Sequence, residues 1–248
     1  MNKVAGSIAY GFFNMLHPGM LWLMVWPMLV SLFIWLTAAF LLWARSALWL
    51  AAHLKQWIEA GVFFVRFETG DAMLIAAHVI LFILFVPLVY LTALLILSVF
   101  GMPAMVGHVA GRRFPQLARR RGGGFAGSLL NSVVALAGMV ALGLVSIPFW
   151  IVPPLWPLIP VAIMGWVNQK VLRYDALAEH ATAAEMRAIF AAGRKALYGL
   201  GTALALLAYV PVLGFFAPVL FGLAFIHYLL GELEALRRSP IEGEAVRL

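Results

Sequence analysis

The chain has no cysteine in its 248 residues. That removes disulfides, thiolate nucleophiles and thiolate metal sites from consideration. Charge is nearly as scarce, since 11% of residues are Asp, Glu, Lys or Arg and no acid falls inside an apolar run. A proton relay through carboxylates, or an aspartyl intramembrane protease, therefore has no residues to use. The six histidines (His17, His53, His78, His108, His180, His227) stand singly, with no pair four residues apart, so neither a metal site nor a cofactor is expected. Gly127-Ser128 and His227 are present, but no Gly-x-Ser-x frame supports a serine nucleophile. The chain is not expected to be an enzyme.

What is present is apolar surface. The sequence is 65% hydrophobic with a mean hydropathy of +1.00, which no soluble domain needs, so the chain reads as an integral membrane protein with the phospholipid bilayer as its main partner. The net charge of +7 sits beside apolar spans, where the positive-inside effect accounts for it and no nucleic-acid partner is expected. Only Lys3 precedes the first apolar run, without a small-x-small cleavage site, so the N-terminus reads as retained.

The stretch around which the rest is organised is Ala196–Gly231, thirty-six residues without a formal charge, interrupted by Pro211 and Pro218. One span takes about 20 residues, and two with a turn need more. Proline lacks a donor and clashes with the preceding turn, which predicts two short arms, 196–210 and 219–231. At 1.5 Å per residue neither arm crosses a core of about 30 Å. A hairpin that enters the bilayer and returns is expected, with the second helix restarting near Phe216.

In chain order, residues 4–16 read as an interfacial helix, 20–60 as the first long helix with an amphipathic continuation after Ala44, and 72–111 as the second. Gly61 and Glu68-Thr69-Gly70-Asp71 supply turn and cap residues between them. Arg112, Arg113 and Arg119-Arg120-Arg121, followed by three glycines, read as a flexible basic loop on the cytoplasmic side, serving equally as an orientation signal and as a contact for anionic lipid. A second uncharged run follows, with Pro148, Pro153, Pro154, Pro157 and Pro160 clustered in it. It predicts another hairpin over 125–169, whose second arm, 161–169, is too short to cross. Residues 170–195 form a cytoplasmic helical insert, with a capping box at Thr182–Glu185 starting a helix that reaches towards Leu197. Residues 232–248 are a polar tail with a disordered end. The expected fold is all-α: two long transmembrane helices plus two proline-broken, partly penetrating hairpins joined by the insert, with both termini cytoplasmic.

Several residues carry the resemblance to a known family: Pro18-Gly19 before the first span, Met102-Pro103 after the second, Arg173-Tyr174-Asp175, Glu185-Met186-Arg187, Arg194, Tyr209-Val210-Pro211-Val212-Leu213-Gly214, and Ala217-Pro218-Val219. The chain resembles the CysZ-type sulfate permeases and the wider etoposide-induced protein family, over about 9–238. The resemblance implies two long membrane helices, two pairs of partly penetrating helices, a homo-oligomer, a bacterial inner-membrane location, and passive passage of sulfate. In the permease branch the Pro-Gly frame continues with an apolar residue and then two arginines, which with nearby backbone amides hold sulfate. Here it reads Pro18-Gly19-Met20-Leu21-Trp22, without the planar forks that bind an oxyanion in pairs.

Candidate contacts for a small inorganic anion are Gly19 and Met20 at this frame, the backbone at Gly214, Phe215 and Phe216, and Asn131 and Ser132 on the first hairpin, the last two serving equally as glue between helices. His78 and His227 read as histidines bonded to a neighbouring carbonyl. Two classes of function fit these residues: a passive anion permease or channel, and a non-transporting membrane scaffold that binds lipid or a partner.

Overall fold

The computed structural model describes residues 2–60 and 70–238, and among them the regular structure is entirely helical. The helices are α1 (Asn2–Met15), α2 (Pro18–Ala60), α3 (Gly70–Arg113), α4 (Phe125–Ser146), α5 (Leu158–Leu177), α6 (Ala183–Ala192), α7 (Arg194–Leu207) and α8 (Pro211–Arg238), with two short 3-10 turns (Ile147–Ile151 and Pro153–Leu155) between α4 and α5. The turn at 61–69 and the tail from 239 lie outside the described residues. Trp22–Val99 form one compact unit, and Met1–Leu21 with Phe100–Leu248 another.

In the first unit α2 and α3 run antiparallel. Ser31 Oγ donates to the Val89 carbonyl at 2.6 Å and Trp35 Nε1 to Thr92 Oγ1 at 2.9 Å, so two polar side chains are satisfied between helices where lipid offers no partner. The small side chains of Ala47, Ala77 and Ala93 are buried, whereas Phe33, Phe40, Phe82 and Leu95 point outward. This is the inverse of a soluble helix pair: close packing through small residues and a large apolar face left for acyl chains.

The second unit is built on α8. Leu223, Phe225, Ile226 and Leu230 are fully buried, so the helix is enclosed on more than one side, as a helix apolar all round must be. α1 lies along it, with Gly11 brought against the Leu220 carbonyl and Lys3 Nζ 2.8 Å from Glu232 Oε1. α5, α6 and α7 also pack on α8, and α5 packs in turn on α4 and α7. The α5–α7 crossing is close because Gly165 faces Gly201 and Thr202; a Cβ at Gly201 would run into the Gly165 carbonyl.

Proline acts differently from expectation in the last hairpin. α7 stops at Leu207, and Ala208–Val210 make the turn. Pro211 then occupies the first position of α8, where a missing amide costs nothing and the fixed φ favours a helix. Pro218 lies inside α8, removing one ladder bond without ending the helix. The second arm is therefore a 28-residue helix reaching Arg238, about 42 Å long, instead of the short arm expected at 219–231, and it absorbs the start of the expected tail. By length and composition 213–238 can cross a membrane, as can 18–58, 71–97 and 126–151.

The first hairpin breaks where the prolines put it. Ile147 and Val152 precede prolines and are disfavoured in a helix, and Val152 is extended (φ −100°, ψ 101°). Trp150 Nε1 donates to Ser146 Oγ at 3.1 Å and Trp156 Nε1 to the Trp150 carbonyl at 2.7 Å, which closes the corner. Its second arm is longer than 161–169, however, because α5 runs through the charged residues to Leu177.

The Thr182 capping box forms, with the Glu185 amide donating to Thr182 Oγ1 at 3.2 Å and the Thr182 amide to Glu185 Oε2 at 2.7 Å. The helix it starts ends at Ala192, where Gly193 intervenes before α7, and does not continue to Leu197. The arginine loop is also not free. The amides of Arg121, Gly122 and Gly123 donate to the carbonyls of Glu179, Ala181 and Ala178 at 2.9–3.0 Å. Arg121 takes a left-handed φ of 43°, and Gly122 lies so close to Ala181 and Thr182 that no side chain would fit.

Candidate functional site

Between α1, the last turns of α3 and α8 the chain leaves an open cleft of about 640 Å³, lined by Gly6, Ala9, Tyr10, Phe13, Asn14, Arg112, Arg113 and His227. Its position follows from local structure. α1 presents Tyr10 and Asn14 one turn apart, and α3 ends on Arg112 and Arg113, where cations complement the carbonyl end of a helix.

Tyr10 stacks on His227 with centroids 4.2 Å apart and lies under the Arg113 guanidinium at 5.8 Å. Ser7 Oγ donates to the Lys3 carbonyl at 2.9 Å and sits 3.0 Å from His227 Nδ1. A hydroxyl has one proton, so Nδ1 is the donor there and the neutral ring carries its lone pair on Nε2. The Tyr10 hydroxyl is buried without a partner. Burial raises its pKa, against the lowering pull of Arg113 and then Arg112; the phenol stays protonated at neutral pH and remains a donor.

Beside the cleft, the turn into α2 is wound around His17. Its carbonyl accepts from the amides of Met20 and Leu21 at 2.8 and 3.0 Å, and its Nδ1 accepts from the Gly19 amide at 3.1 Å. Its Nε2 lies 2.7 Å from Arg112 Nη2. Arginine can only donate, and a neutral imidazole has one acceptor nitrogen, so the ring cannot serve both neighbours at once. His108 packs 4.9 Å from His17, and its Nε2 is buried without a partner. Its pKa is lowered, chiefly by burial and then by Arg112 and His17. No Asp or Glu lines the cleft, and among the described residues no carboxylate pairs with Arg112 or Arg113. Arg112 and Arg113 are both exposed.

The candidates singled out from sequence are placed as follows. Gly19 is exposed and belongs to the His17 turn, whereas Met20 is 5% exposed and forms part of the core. The Gly214 amide bonds the Val210 carbonyl at 2.7 Å, and Phe215 and Phe216 follow it past the first turn of α8, so the expected free amides at 214–216 are within the helical ladder. Asn131 Nδ2 donates to the Lys170 carbonyl at 2.8 Å, tying α4 to α5. Ser132 lies on the same helix, half-buried. Ser128 Oγ donates to Asp175 Oδ1 at 2.6 Å and is not joined to His227. His78 Nδ1 bonds the Leu74 carbonyl at 2.7 Å, as expected, but His227 bonds a serine. Nothing in the sequence singles out Tyr10 and Asn14, and it leaves the arginines with two readings, an orientation signal and a contact for anionic lipid. The signal available was the Arg-Arg pair ending a span, together with a histidine before Pro-Gly.

A second charged centre holds the helices together. Glu185 accepts from Arg237 Nε at 2.9 Å and Nη2 at 3.1 Å and from Arg120 at 3.2 Å, while Arg237 also reaches the carbonyls of His180 and Ala118. The Arg237 bonds, with those from Thr182, hold the Glu185 pKa down to about 2.

Four helices long and apolar enough to cross a bilayer, and an outward surface of Phe and Leu, define an all-helical integral membrane protein. Residues 7–218 match the model of the sulfate transporter CysZ/etoposide-induced protein 2.4 family, and the chain belongs to that family. No curated relative and no solved structure matches it.

Proposed function

We propose that the protein is a passive permease for small inorganic anions of the sulfate class, and that the cleft at Tyr10, Arg112 and Arg113 is where the anion meets it. The observation that carries this reading is an open, acid-free cleft with two arginines that have no carboxylate partner among the described residues, in a chain whose family description includes a sulfate transporter. The arginines supply positive potential, and the scarcity of acids leaves no group for coupling to protons. Holding is expected to be weak, which suits conduction because the ion must also leave. In this reading the α4–α5 and α7–α8 hairpins penetrate from the cytoplasmic face of a bacterial inner membrane, both termini are cytoplasmic, and the protein works as a homo-oligomer without catalysis.

Purified protein in liposomes should pass sulfate or chloride down the solute's own gradient, with poor saturation and no need for another ion. Arg112→Gln with Arg113→Gln should lower the flux at least tenfold. A second reading, a non-transporting scaffold, is favoured by Leu21-Trp22 standing where the permease branch has arginines. It takes over if wild-type protein moves no anion above empty liposomes.

A further inference from the structure

A separate group of charges gathers where α5, α6 and α7 meet. Lys170 and Arg173 stand on α5, both half-buried, and Arg194 opens α7, exposed. The Arg173 guanidinium lies 4.6 Å over the Phe190 ring and its Nη1 donates to Gln169 Oε1 at 3.2 Å, while its Nε is buried without a partner. The positive charges act on one another. The Arg173 pKa is lowered by burial and then by Arg194, and the Lys170 pKa by burial and then by Arg173. Among the described residues none of the three has a carboxylate partner, and the nearest acid along the chain, Asp175, is engaged by Ser128 Oγ at 2.6 Å. Like charges drawn together in a partly desolvated place destabilise one another, so this arrangement calls for an anion from outside the chain.

We infer that Lys170, Arg173 and Arg194 hold the phosphate of an anionic phospholipid from the adjoining leaflet. The source of the phosphate follows from what lies beside the charges. Residues 158–169 of α5 and 196–207 of α7 carry no formal charge, so the cations mark the level at which both helices leave apolar surroundings. One turn on from Arg194, on the same face of α7, Tyr198 is 40% exposed, and its hydroxyl donates to the Ala162 carbonyl of α5 at 3.2 Å. A ring with a polar tip belongs at the headgroup level of a bilayer. Ala162, itself exposed, shares the Arg173 face of α5, about three turns before it. A phosphate at the cations therefore has apolar helix surface next to it for acyl chains, which a free ion would leave unused. Basic groups at this level attract anionic lipid. The site shares no residue with the Tyr10 cleft and stands whether or not the protein passes anions.

The test is equilibrium binding of fluorescent phosphatidylglycerol to the full chain in a neutral detergent, beside fluorescent phosphatidylcholine, whose headgroup has no net charge. Wild type should bind phosphatidylglycerol at least about tenfold more tightly than phosphatidylcholine. Unlabelled phosphatidylglycerol should displace the probe, and the same concentration of inorganic phosphate should not. Arg194→Gln and Lys170→Gln should each weaken phosphatidylglycerol binding about fivefold, the share of one cation at a lipid surface. Arg194→Lys should keep it, because a phosphate is also bound by a point charge. Arg45→Gln, the same loss of net charge on α2, should leave it unchanged. Arg194 is exposed, so Arg194→Gln should melt with wild type in lipid-free detergent, which separates a lost contact from a lost fold. Added phosphatidylglycerol should then raise the melting temperature of wild type more than that of the variant. Equal affinity for the two lipids, or Arg194→Gln and Lys170→Gln binding phosphatidylglycerol as wild type does, overturns the assignment. Displacement by inorganic phosphate as readily as by lipid also overturns it and makes this a site for the free ion.

Discussion

Glu185→Gln removes one charge and almost no volume, and the structure indicates what the charge supports. Glu185 is 14% exposed at its side chain and takes both a Nε and a Nη2 bond from Arg237, which is 17% exposed. The outer bond from Arg120, 54% exposed, adds little, since solvent screens such pairs to about 0–1 kcal/mol. A glutamine can accept one of the two Arg237 bonds but turns an NH2 towards the other donor. The loss is therefore one charge-assisted bond and the weakening of a second, together about 2–3 kcal/mol. For a chain of this length that lowers the melting temperature by roughly 5–10 °C, at about 2–4 °C per kcal/mol. Tryptophan fluorescence during heating in detergent reads it directly, the chain having nine tryptophans.

The same centre fixes a pH dependence. The folded pKa of Glu185, about 2, lies below the ordinary value of 4.5, so the native state binds a proton less readily than the unfolded one. Its contribution is fully present above pH 4.5 and is lost as pH falls towards 2. Other carboxylates titrate in the same window. The diagnostic quantity is thus the difference in melting temperature between wild type and Glu185→Gln, which should be large at pH 6 and close towards pH 2. A variant that melts within a degree of wild type at pH 6, or two curves that stay parallel, would refute the reasoning.

Gly201→Val should lower stability by about 1–3 kcal/mol through overpacking, because its side chain has to displace the Gly165 carbonyl; Gly199→Val, where the space beside the backbone is open, is the control for β-branching in the same helix. Single cysteines at Gly123, Thr182 and Gly214 in this cysteine-free chain should separate by side: an impermeant thiol reagent should reach the first two from the cytoplasmic face and none from outside. Labelling of Gly214→Cys from outside would mean that the α7–α8 hairpin crosses completely.

Composition and periodicity were enough to read a helical membrane protein, because a bilayer imposes so few solutions: long apolar runs, satisfied backbone, charges at the ends. The two long helices, the proline corner at 147–157 and the Thr182 capping box are likewise local. Each depends on groups within a few residues of one another, such as the Glu185 amide on Thr182 Oγ1. Pro211 and Pro218 show the limit of local reading. As residue types they are the same breaker, yet one starts α8 and the other is carried within it, and the buried surroundings of Leu220 to Leu230 make continuing the helix worth more than the single bond lost at Pro218.

The candidate site was less legible, for a physical reason. Gly214 to Phe216 looked like free amides only while the helix was thought to break there. Arg112 and Arg113 read equally as an orientation signal and as a contact for anionic lipid because their neighbours along the chain are themselves basic or apolar. What places them in one cleft is Tyr10, about a hundred residues earlier, and His227, more than a hundred later. The sequence by itself determined the solvent this protein folds in, the helices it must form and where several of them end, since those follow from hydropathy, caps and prolines acting over one or two turns. Tertiary structure alone decided which side chains line the cleft, because that depends on the packing of α1 and the end of α3 against α8, and such a lining is a property of groups meeting across the fold.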